Sequence, residues 1–262
     1  MQPREKIRAA LARDASSERG AAKRSPALVA FVTAGYPEPS EFLNVLRAVA
    51  GAVDAVEIGV PFSDPMADGV TIQRSSQHAI EHGVSLTWIC DELARRDFEL
   101  PSPVLLMSYL NPLLTFGFEK LAGRAAEVGV SGFIVPDLPH EESAPLRAAL
   151  DPHGLALVQL VTPATPPERL RALCAASQGF VYAVTRTGIT GGESTLPAET
   201  AKYLACVKAA SQLPVCAGFG VRRAEQVATL ARHADGVIVG SALIEVLERG
   251  EDPAKFLRSL RG

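Results

Sequence analysis

Short apolar runs alternate with longer stretches in which apolar residues recur every three or four positions, from residue 27 to the end of the chain. Short runs rich in β-branched residues predict buried strands, and the longer periodic stretches predict helices. The predicted strands are 28–33, 55–59, 104–107, 132–135, 155–161, 180–184, 215–218 and 236–239. The predicted helices are 39–49, 73–96, 118–128, 141–153, 167–177, 197–210, 223–231, 242–247 and 253–260.

Strict alternation of strand and helix predicts parallel strands joined by crossover helices. Eight such units in about 235 residues match a closed (β/α)8 barrel, the TIM barrel. An open doubly wound sheet is the alternative, because alternation alone does not prove closure. Ile7 and Leu11 have the i, i+4 spacing of an extra N-terminal helix, and a short extra helix is expected after strand 8. We expect one domain over 1–262, with the N-terminal helix and a linker in 1–25 and the barrel in 27–262.

Composition and charge exclude several other classes of protein. Hydrophobic residues make up 47%, charged residues 21%, and the net charge is −3, whereas a nucleic-acid-binding protein is normally basic. No apolar run approaches the roughly 20 residues of a membrane span, and the first residues lack the apolar segment of a secretory signal. The cysteines form no C-x-x-C pair, so we expect free thiols in the cytoplasm. His78 and His82 have no third ligand at metal spacing, so no metal is expected.

In a barrel of this kind the chemistry lies at the carboxyl ends of the strands. In the second strand, Glu57 alternates with Val56 and Ile58, so the carboxylate is expected to face the barrel interior. Burial there would raise the pKa of Glu57 and make it a candidate general acid. A structural carboxylate paired with an Arg or Lys of another strand is an equally good interpretation.

The loops after strands 2 and 6 carry the next candidates. Loop 61–69 contains Asp64, which precedes a proline and suits a turn, and Asp68, which suits an ordered functional loop. Tyr182 would offer a hydroxyl group to the barrel interior. The glycines at 188–192 suit a lid or an anion-binding turn, and equally a plain flexible loop.

Two glycine clusters, 218–220 and 240–242, each precede a predicted helix. The loops after strands 7 and 8 of such barrels frequently bind phosphate, since a helix N-terminus presents free N–H groups to an anion. Together the two clusters predict a phosphate site, although two tight turns would also explain them.

The segment 55–69 (AVEIGVPFSDPMADG) resembles the signature of the tryptophan synthase α subunit, an indole-3-glycerol phosphate lyase. Segments 31–35, 107–112, 135–139, 188–191, 218–220 and 240–242 resemble further motifs of that family, in order and over nearly the whole chain. The resemblance implies retro-aldol cleavage of indole-3-glycerol phosphate to indole and glyceraldehyde 3-phosphate in tryptophan biosynthesis. It also implies no cofactor on this chain, and a β subunit carrying pyridoxal phosphate in an α₂β₂ heterotetramer.

The resemblance further implies a role for single residues. Glu57 would be the general acid–base at C3 of the indole, Asp68 would hold the indole N–H, and Tyr182 would lie near the reacting carbon. The implied phosphate-binding residues are Gly191, Gly220, Gly240 and Ser241. The implied indole walls are Phe31, Leu106, Ile134 and Phe219, and Thr190 would be the lid residue that bonds toward the Asp68 loop. The implied contacts with the partner subunit are Pro61, Asp64, Asn111 and Pro139.

Three residues depart from the family pattern, one of them conservatively, because Thr185 stands where serine is common. Val70 follows Asp68-Gly69 where the family usually has proline, and Arg222 stands where a helix-capping serine is common. The arginine would add a positive charge close to the phosphate site. Two other functions stay open at this point: a stand-alone lyase that releases free indole, and a catalytically silent barrel that binds a phosphorylated ligand and regulates a partner. Retention of both Glu57 and Asp68 argues against the silent barrel.

Overall fold

The computed structural model describes residues 1–12, 26–185, 196–218 and 220–261. Within these ranges eight parallel strands pair in chain order, and the first strand pairs with the eighth, so the sheet closes into a barrel. The strands are β1 (Ala27–Thr33), β2 (Ala55–Gly59), β3 (Val104–Met107), β4 (Val130–Ile134), β5 (Ala156–Val161), β6 (Val181–Val184), β7 (Val215–Gly218) and β8 (Gly236–Val239). The predicted (β/α)8 barrel is confirmed, and the open sheet is excluded.

Twelve α-helices lie in the described ranges, and none of them is long and apolar enough to cross a membrane. They are α1 (Pro3–Leu11), α2 (Phe42–Ala50), α3 (Val70–Glu81), α4 (Leu86–Arg95), α5 (Leu110–Phe116), α6 (Phe118–Glu127), α7 (Ala144–Leu150), α8 (Pro167–Ala176), α9 (Ala198–Ala210), α10 (Ala224–Leu230), α11 (Ser241–Glu248) and α12 (Pro253–Ser259). The extra helices predicted at the N-terminus and after strand 8 are α1 and α11.

Helix α1 packs across the amino-terminal ends of the strands. Ile7 and Leu11 are fully buried there among the apolar side chains of the barrel interior. The Arg4 N–H donates to the carbonyl oxygen of Gly154 at 3.0 Å, and the Arg4 guanidinium contacts Asp151 at 3.0 Å. The i, i+4 pair therefore forms the apolar stripe of a docked helix.

The alternation of side chains along the strands produces two apolar layers. Val56 and Ile58 belong to the layer between strands and helices, and Ala55 belongs to the barrel interior, as the sequence predicts. The register pairs Phe31 with Glu57 and Glu57 with Leu105. Paired residues of parallel strands point to the same face, so the register decides which side chains can meet inside the barrel.

Two helix predictions differ from the structure. The single helix predicted over 73–96 is two helices, because Gly83 adopts a φ of +80° and Ser85 caps α4 by accepting the Trp88 N–H at 3.2 Å. Helix α5 was not predicted. It follows β3 directly and contains Pro112, which a helix tolerates in its first turn because the missing N–H would have no acceptor there.

Candidate functional site

A cavity of about 420 Å³ opens at the carboxyl ends of the strands. It is the place where sequence reasoning expects the chemistry of a barrel. The predicted site residues on its wall are Phe31, Asp68, Tyr182, Gly220, Gly240 and Ser241. The acid after strand 2 and the glycine turns after strands 7 and 8 therefore face one enclosed space.

Glu57 lies in the middle of β2 and is fully buried. Neither carboxylate oxygen has a hydrogen-bond partner among the described residues, so the predicted alternative of a structural ion pair is not seen in that part of the chain. Burial raises the pKa of Glu57 to about 8. The charge of Glu57 also raises the pKa of Tyr182. Glu57 therefore lies near Tyr182 of the cavity wall, but it is not itself a wall residue.

Asp68 is held in place by Tyr109, which begins the segment after β3. The Tyr109 hydroxyl donates to Asp68 Oδ2 at 3.1 Å and accepts the Ala67 N–H at 2.9 Å. The Phe62 ring stacks on the Tyr109 ring with centroids 5.1 Å apart. Burial raises the pKa of Asp68, and the hydrogen bond from Tyr109 lowers it in part. Tyr109 was not predicted as a site residue, although its position two residues after the end of β3 favours such a role.

Two aromatic rings of the wall lie over glycines. A Cβ on Gly59 would overlap the ring of Phe31, and a Cβ on Gly218 would lie 2.8 Å from the Tyr182 hydroxyl. Any larger residue at either position would push a ring toward the cavity. Tyr182 is buried, and burial together with the charges of Glu57 and Asp68 raises its pKa. Its hydroxyl therefore stays protonated near neutral pH.

The glycine turns present backbone to the other side of the cavity. Gly220 has a φ of +74°, which a side-chain-bearing residue rarely adopts. Gly240 precedes α11, and its carbonyl oxygen accepts the N–H groups of Leu243 at 2.8 Å and Ile244 at 3.1 Å. The N–H groups of Ser241 and Ala242 come before these first bonds of the helix. This arrangement suits an anionic group.

Leu106, a predicted wall residue, points away from the cavity. Leu106 packs in the layer between strands and helices, and Met107 lines the cavity instead. The register explains the error, since Met107 pairs with Gly59 on the interior face and Leu106 pairs with Ile58 on the outer face. Ile134 does point inward, but it is fully buried among interior side chains and does not line the cavity. Further wall residues that were not predicted are Leu160, Thr162, Val184 and Ile238.

Three predicted site residues lie outside the described residues: Thr190, Gly191 and Phe219. Arg222 is described, and it differs from expectation. Its guanidinium is bonded to both carboxylate oxygens of Glu245, so its charge is already paired. The side-chain oxygen of Gln226, in the first turn of α10, accepts the N–H groups of Arg222 at 2.8 Å and Arg223 at 3.1 Å.

The residues expected to meet a partner differ in exposure. Asp64, Asn111 and Pro139 are exposed, whereas Pro61 is buried within the chain and offers little surface for a partner. Pro61 directly follows the end of β2 and Val60, so it shapes the loop rather than its surface. The contact of Pro61 with a partner stays a prediction.

A closed parallel barrel with its polar groups gathered at the strand ends is the architecture of TIM-barrel enzymes. The family model described as "Tryptophan synthase alpha chain" matches residues 18–260. A tryptophan synthase alpha chain from Nitratidesulfovibrio vulgaris (strain DP4) is 45% identical over 235 residues, which cover 89% of this chain and 91% of that protein. The chain belongs to the tryptophan synthase alpha chain family.

Solved structures agree with this assignment. Tryptophan synthase subunit alpha from Legionella pneumophila str. Paris superposes with a TM-score of 0.84 and 32% identity, covering 100% of this chain and 97% of that one. Tryptophan synthase from M. tuberculosis, in an aminoacrylate- and BRD0059-bound form, gives a TM-score of 0.82 and 34% identity, with 91% and 92% covered. The protein is a lyase of tryptophan biosynthesis, and the reaction of its family is cleavage of indole-3-glycerol phosphate to indole and glyceraldehyde 3-phosphate.

Proposed function

We propose that Glu57 and Asp68 carry out this cleavage from two sides of the cavity, with Tyr182 beside the reacting carbon. The observation that supports it is that Asp68, Tyr182 and both glycine turns line one cavity, with Glu57 buried next to Tyr182. A carboxyl group whose pKa is raised to about 8 is protonated at neutral pH and can donate a proton.

In the proposed reaction the Glu57 side chain turns into the cavity and gives its proton to C3 of the indole ring. The ring becomes cationic, and the Asp68 carboxylate stabilises that charge at the indole N–H. The Glu57 carboxylate then takes the proton of the hydroxyl group next to the ring. The carbon–carbon bond breaks, its electron pair restores the aromatic ring, and indole and glyceraldehyde 3-phosphate are released with Glu57 protonated again.

The phosphate of the substrate is proposed to bind at the glycine turns. Gly220, Gly240 and Ser241 bring backbone and one hydroxyl group to the wall of the cavity that Asp68 also lines, and Gly191 would join them. The apolar wall, including Phe31 and Met107, would hold the indole ring between the two ends of the site. Binding at both ends fixes the reacting carbon near the acids.

The partner is proposed to be a β subunit in an α₂β₂ complex, with pyridoxal phosphate on that subunit. Asp64, Asn111 and Pro139 would contact it, next to the exposed side chains of Met66 and Leu114. These residues lie on the loop after β2, on α5 and on the loop after β4. The three segments are joined by the Asp68–Tyr109 hydrogen bond and by the Leu110 N–H, which donates to Asp137 at 2.9 Å. The buried thiols of Cys90 and Cys174 suit the proposed cytoplasmic setting.

Replacing Glu57 tests the assignment of the proton donor. Glu57→Gln keeps the shape of the side chain and removes the acid, so indole release from indole-3-glycerol phosphate should fall by about 10²- to 10⁴-fold. Binding of glycerol 3-phosphate, measured by calorimetry, should stay unchanged. Near-normal turnover by this variant would contradict the role of Glu57.

Adding a β subunit tests the proposed complex. Indole release by the pure chain should be slow and should rise strongly when a tryptophan synthase β subunit is added. Full activity of the chain alone would instead support a stand-alone lyase. Glycerol 3-phosphate binding with no indole release, alone or with the β subunit, would support a silent regulatory barrel.

A further inference from the structure

Glu245 lies between the turn after Gly220 and α3, the helix that follows the Asp68 loop. It sits on α11, one turn after Ser241 on the cavity wall. Its Oε2 accepts from Arg222 Nη1 at 2.5 Å and its Oε1 from Arg222 Nη2 at 2.8 Å. The Thr71 side chain lies close enough to the same carboxylate to lower the pKa of Glu245.

The first of these partners belongs to the phosphate side. Arg222 comes two residues after Gly220, in the turn that leads to α10. Its own N–H is held by Gln226 at 2.8 Å. The turn is thus fixed to its own helix through the backbone and to α11 through the guanidinium. A bidentate pair of this kind sets geometry as well as charge.

The second partner belongs to the acid side. Thr71 is in the first turn of α3, three residues after Asp68. One turn further along both helices the contact is repeated, because Arg74 of α3 lies 2.6 Å from Glu248 of α11. The helix that follows the Asp68 loop is therefore attached to α11 by this ion pair, one turn beyond Thr71.

The charge of Glu245 is retained at neutral pH, because the hydrogen bonds from Arg222 lower the pKa of its carboxyl group. The side chain of Glu245 is 26% exposed and that of Arg222 51% exposed. Each attachment is therefore moderate in strength. Its importance lies in where it acts, between the two walls that must hold one substrate at once.

We propose that Glu245 is a positioning residue that sets the spacing between the Gly220 turn and the Asp68 loop. This inference rests on the proposed function, in which the phosphate binds at the turn and the indole binds at the loop. Arg222 then acts through the turn and not as a direct phosphate ligand.

The two attachments can be broken one at a time, and each has its own kinetic signature. Arg222→Met removes the guanidinium without adding a capping hydroxyl and so loosens only the turn, and the Kd of glycerol 3-phosphate and the KM of indole-3-glycerol phosphate should rise about fivefold with kcat unchanged. Thr71→Val loosens only the loop, so kcat should fall a few-fold with glycerol 3-phosphate affinity unchanged. Glu245→Ala should show both effects. These measurements use the full-length chain and calorimetry beside the indole-release assay.

Charge reversal and a remote pair provide the controls. Arg222→Glu alone should weaken glycerol 3-phosphate binding further, and the double variant Arg222→Glu/Glu245→Arg should restore most of it. Arg47→Ala removes an ion pair of 2.9 Å with Asp97 at the opposite end of the barrel. It should change neither KM nor kcat, even if it lowers the melting temperature as much as Glu245→Ala does.

One result would overturn the inference directly. If Glu245→Ala binds glycerol 3-phosphate more tightly than the wild type, Glu245 merely neutralises an arginine that binds the phosphate itself. Unchanged kcat, KM and Kd in all three single variants would also overturn it. A wild-type chain that neither binds glycerol 3-phosphate nor releases indole would instead refute the proposed function.

Discussion

The two sides of the cavity differ in the chemical groups that form them. The side of β2 and β3 consists of ionisable side chains, in which burial raises the pKa of Glu57 and Asp68 and Tyr109 holds Asp68 by a hydrogen bond. The side of β7 and β8 consists of backbone at Gly220 and Gly240, and its nearby charges are paired with each other. The first side can therefore move protons and respond to pH, whereas the second can bind an anion with little dependence on pH.

Among the measurements that distinguish the two sides, the pH dependence of the free energy of unfolding should show the largest effect. The pKa of Glu57 is raised to about 8 in the folded chain from an ordinary value of 4.5. The folded state thus binds a proton that the unfolded state loses above pH 4.5. The contribution of Glu57 to the free energy of unfolding is fully present below about pH 4.5 and is lost as pH rises to about 8. Between these values the free energy of unfolding falls by up to about 1.4 kcal/mol per pH unit.

Urea unfolding of the wild type and of Glu57→Gln across this pH range measures the effect. The difference in unfolding free energy between them should change with pH, because the amide does not titrate. Parallel curves for the two proteins would show that Glu57 keeps an ordinary pKa in the folded state.

Removing the second acid should produce the next largest effect. Asp68→Asn leaves a neutral amide that cannot offset a forming cation, so kcat for indole release should fall about 10²- to 10³-fold. Tyr109→Phe removes only the hydrogen bond to Asp68 and should cost less. Asp97→Asn, at an exposed aspartate at the far end of the barrel, is the matched control. If Asp68→Asn kept most of the activity, charge at this position would be dispensable.

A substitution on the glycine side should affect binding rather than chemistry. A Cβ on Gly240 would lie 3.5 Å from Phe31 Cβ, so the further methyl groups of Gly240→Val would enter the space beside that ring. Glycerol 3-phosphate should bind about tenfold more weakly, by about 1.4 kcal/mol. Gly123→Val in α6, where a Cβ meets nothing within 4 Å, controls for a general effect of valine. Unchanged affinity for Gly240→Val would place the anion elsewhere.

The smallest effect concerns the loop on the acid side. Val70 is 76% exposed and is the first residue of α3, a position that favours proline. Val70→Pro should stabilise the chain by about 0.4 to 1 kcal/mol in thermal unfolding, since it restricts the unfolded chain. Val70→Ala serves as the control for loss of the side chain. A lower stability would mean that the Val70 N–H makes a bond the proline cannot replace.

Repetition made the barrel predictable from the sequence. Each strand-and-helix unit carries its own periodicity, and the inward direction of Glu57 follows from alternation along a single strand. The error at Leu106 has the opposite origin, because the facing of a short strand depends on its register with a neighbour. Here that register is the pairing of Gly59 with Met107.

The contacts that the sequence did not reveal join residues that are distant along the chain. Tyr109 reaches Asp68 across 41 positions, and Arg222 reaches Glu245 across 23. Composition and local spacing do not predict such pairs. The sequence therefore predicts Arg222 as an added positive charge, whereas in the fold Glu245 compensates that charge.

Helix α1 has a consequence for the route of the products. Ile7 and Leu11 are fully buried at the amino-terminal end of the barrel, whereas the cavity opens at the carboxyl ends of the strands, which is where small molecules would enter and leave. Asp64, Asn111 and Pro139 are exposed at that same rim. A subunit seated there would stand at the exit, and indole departing from this barrel would meet it before reaching bulk water.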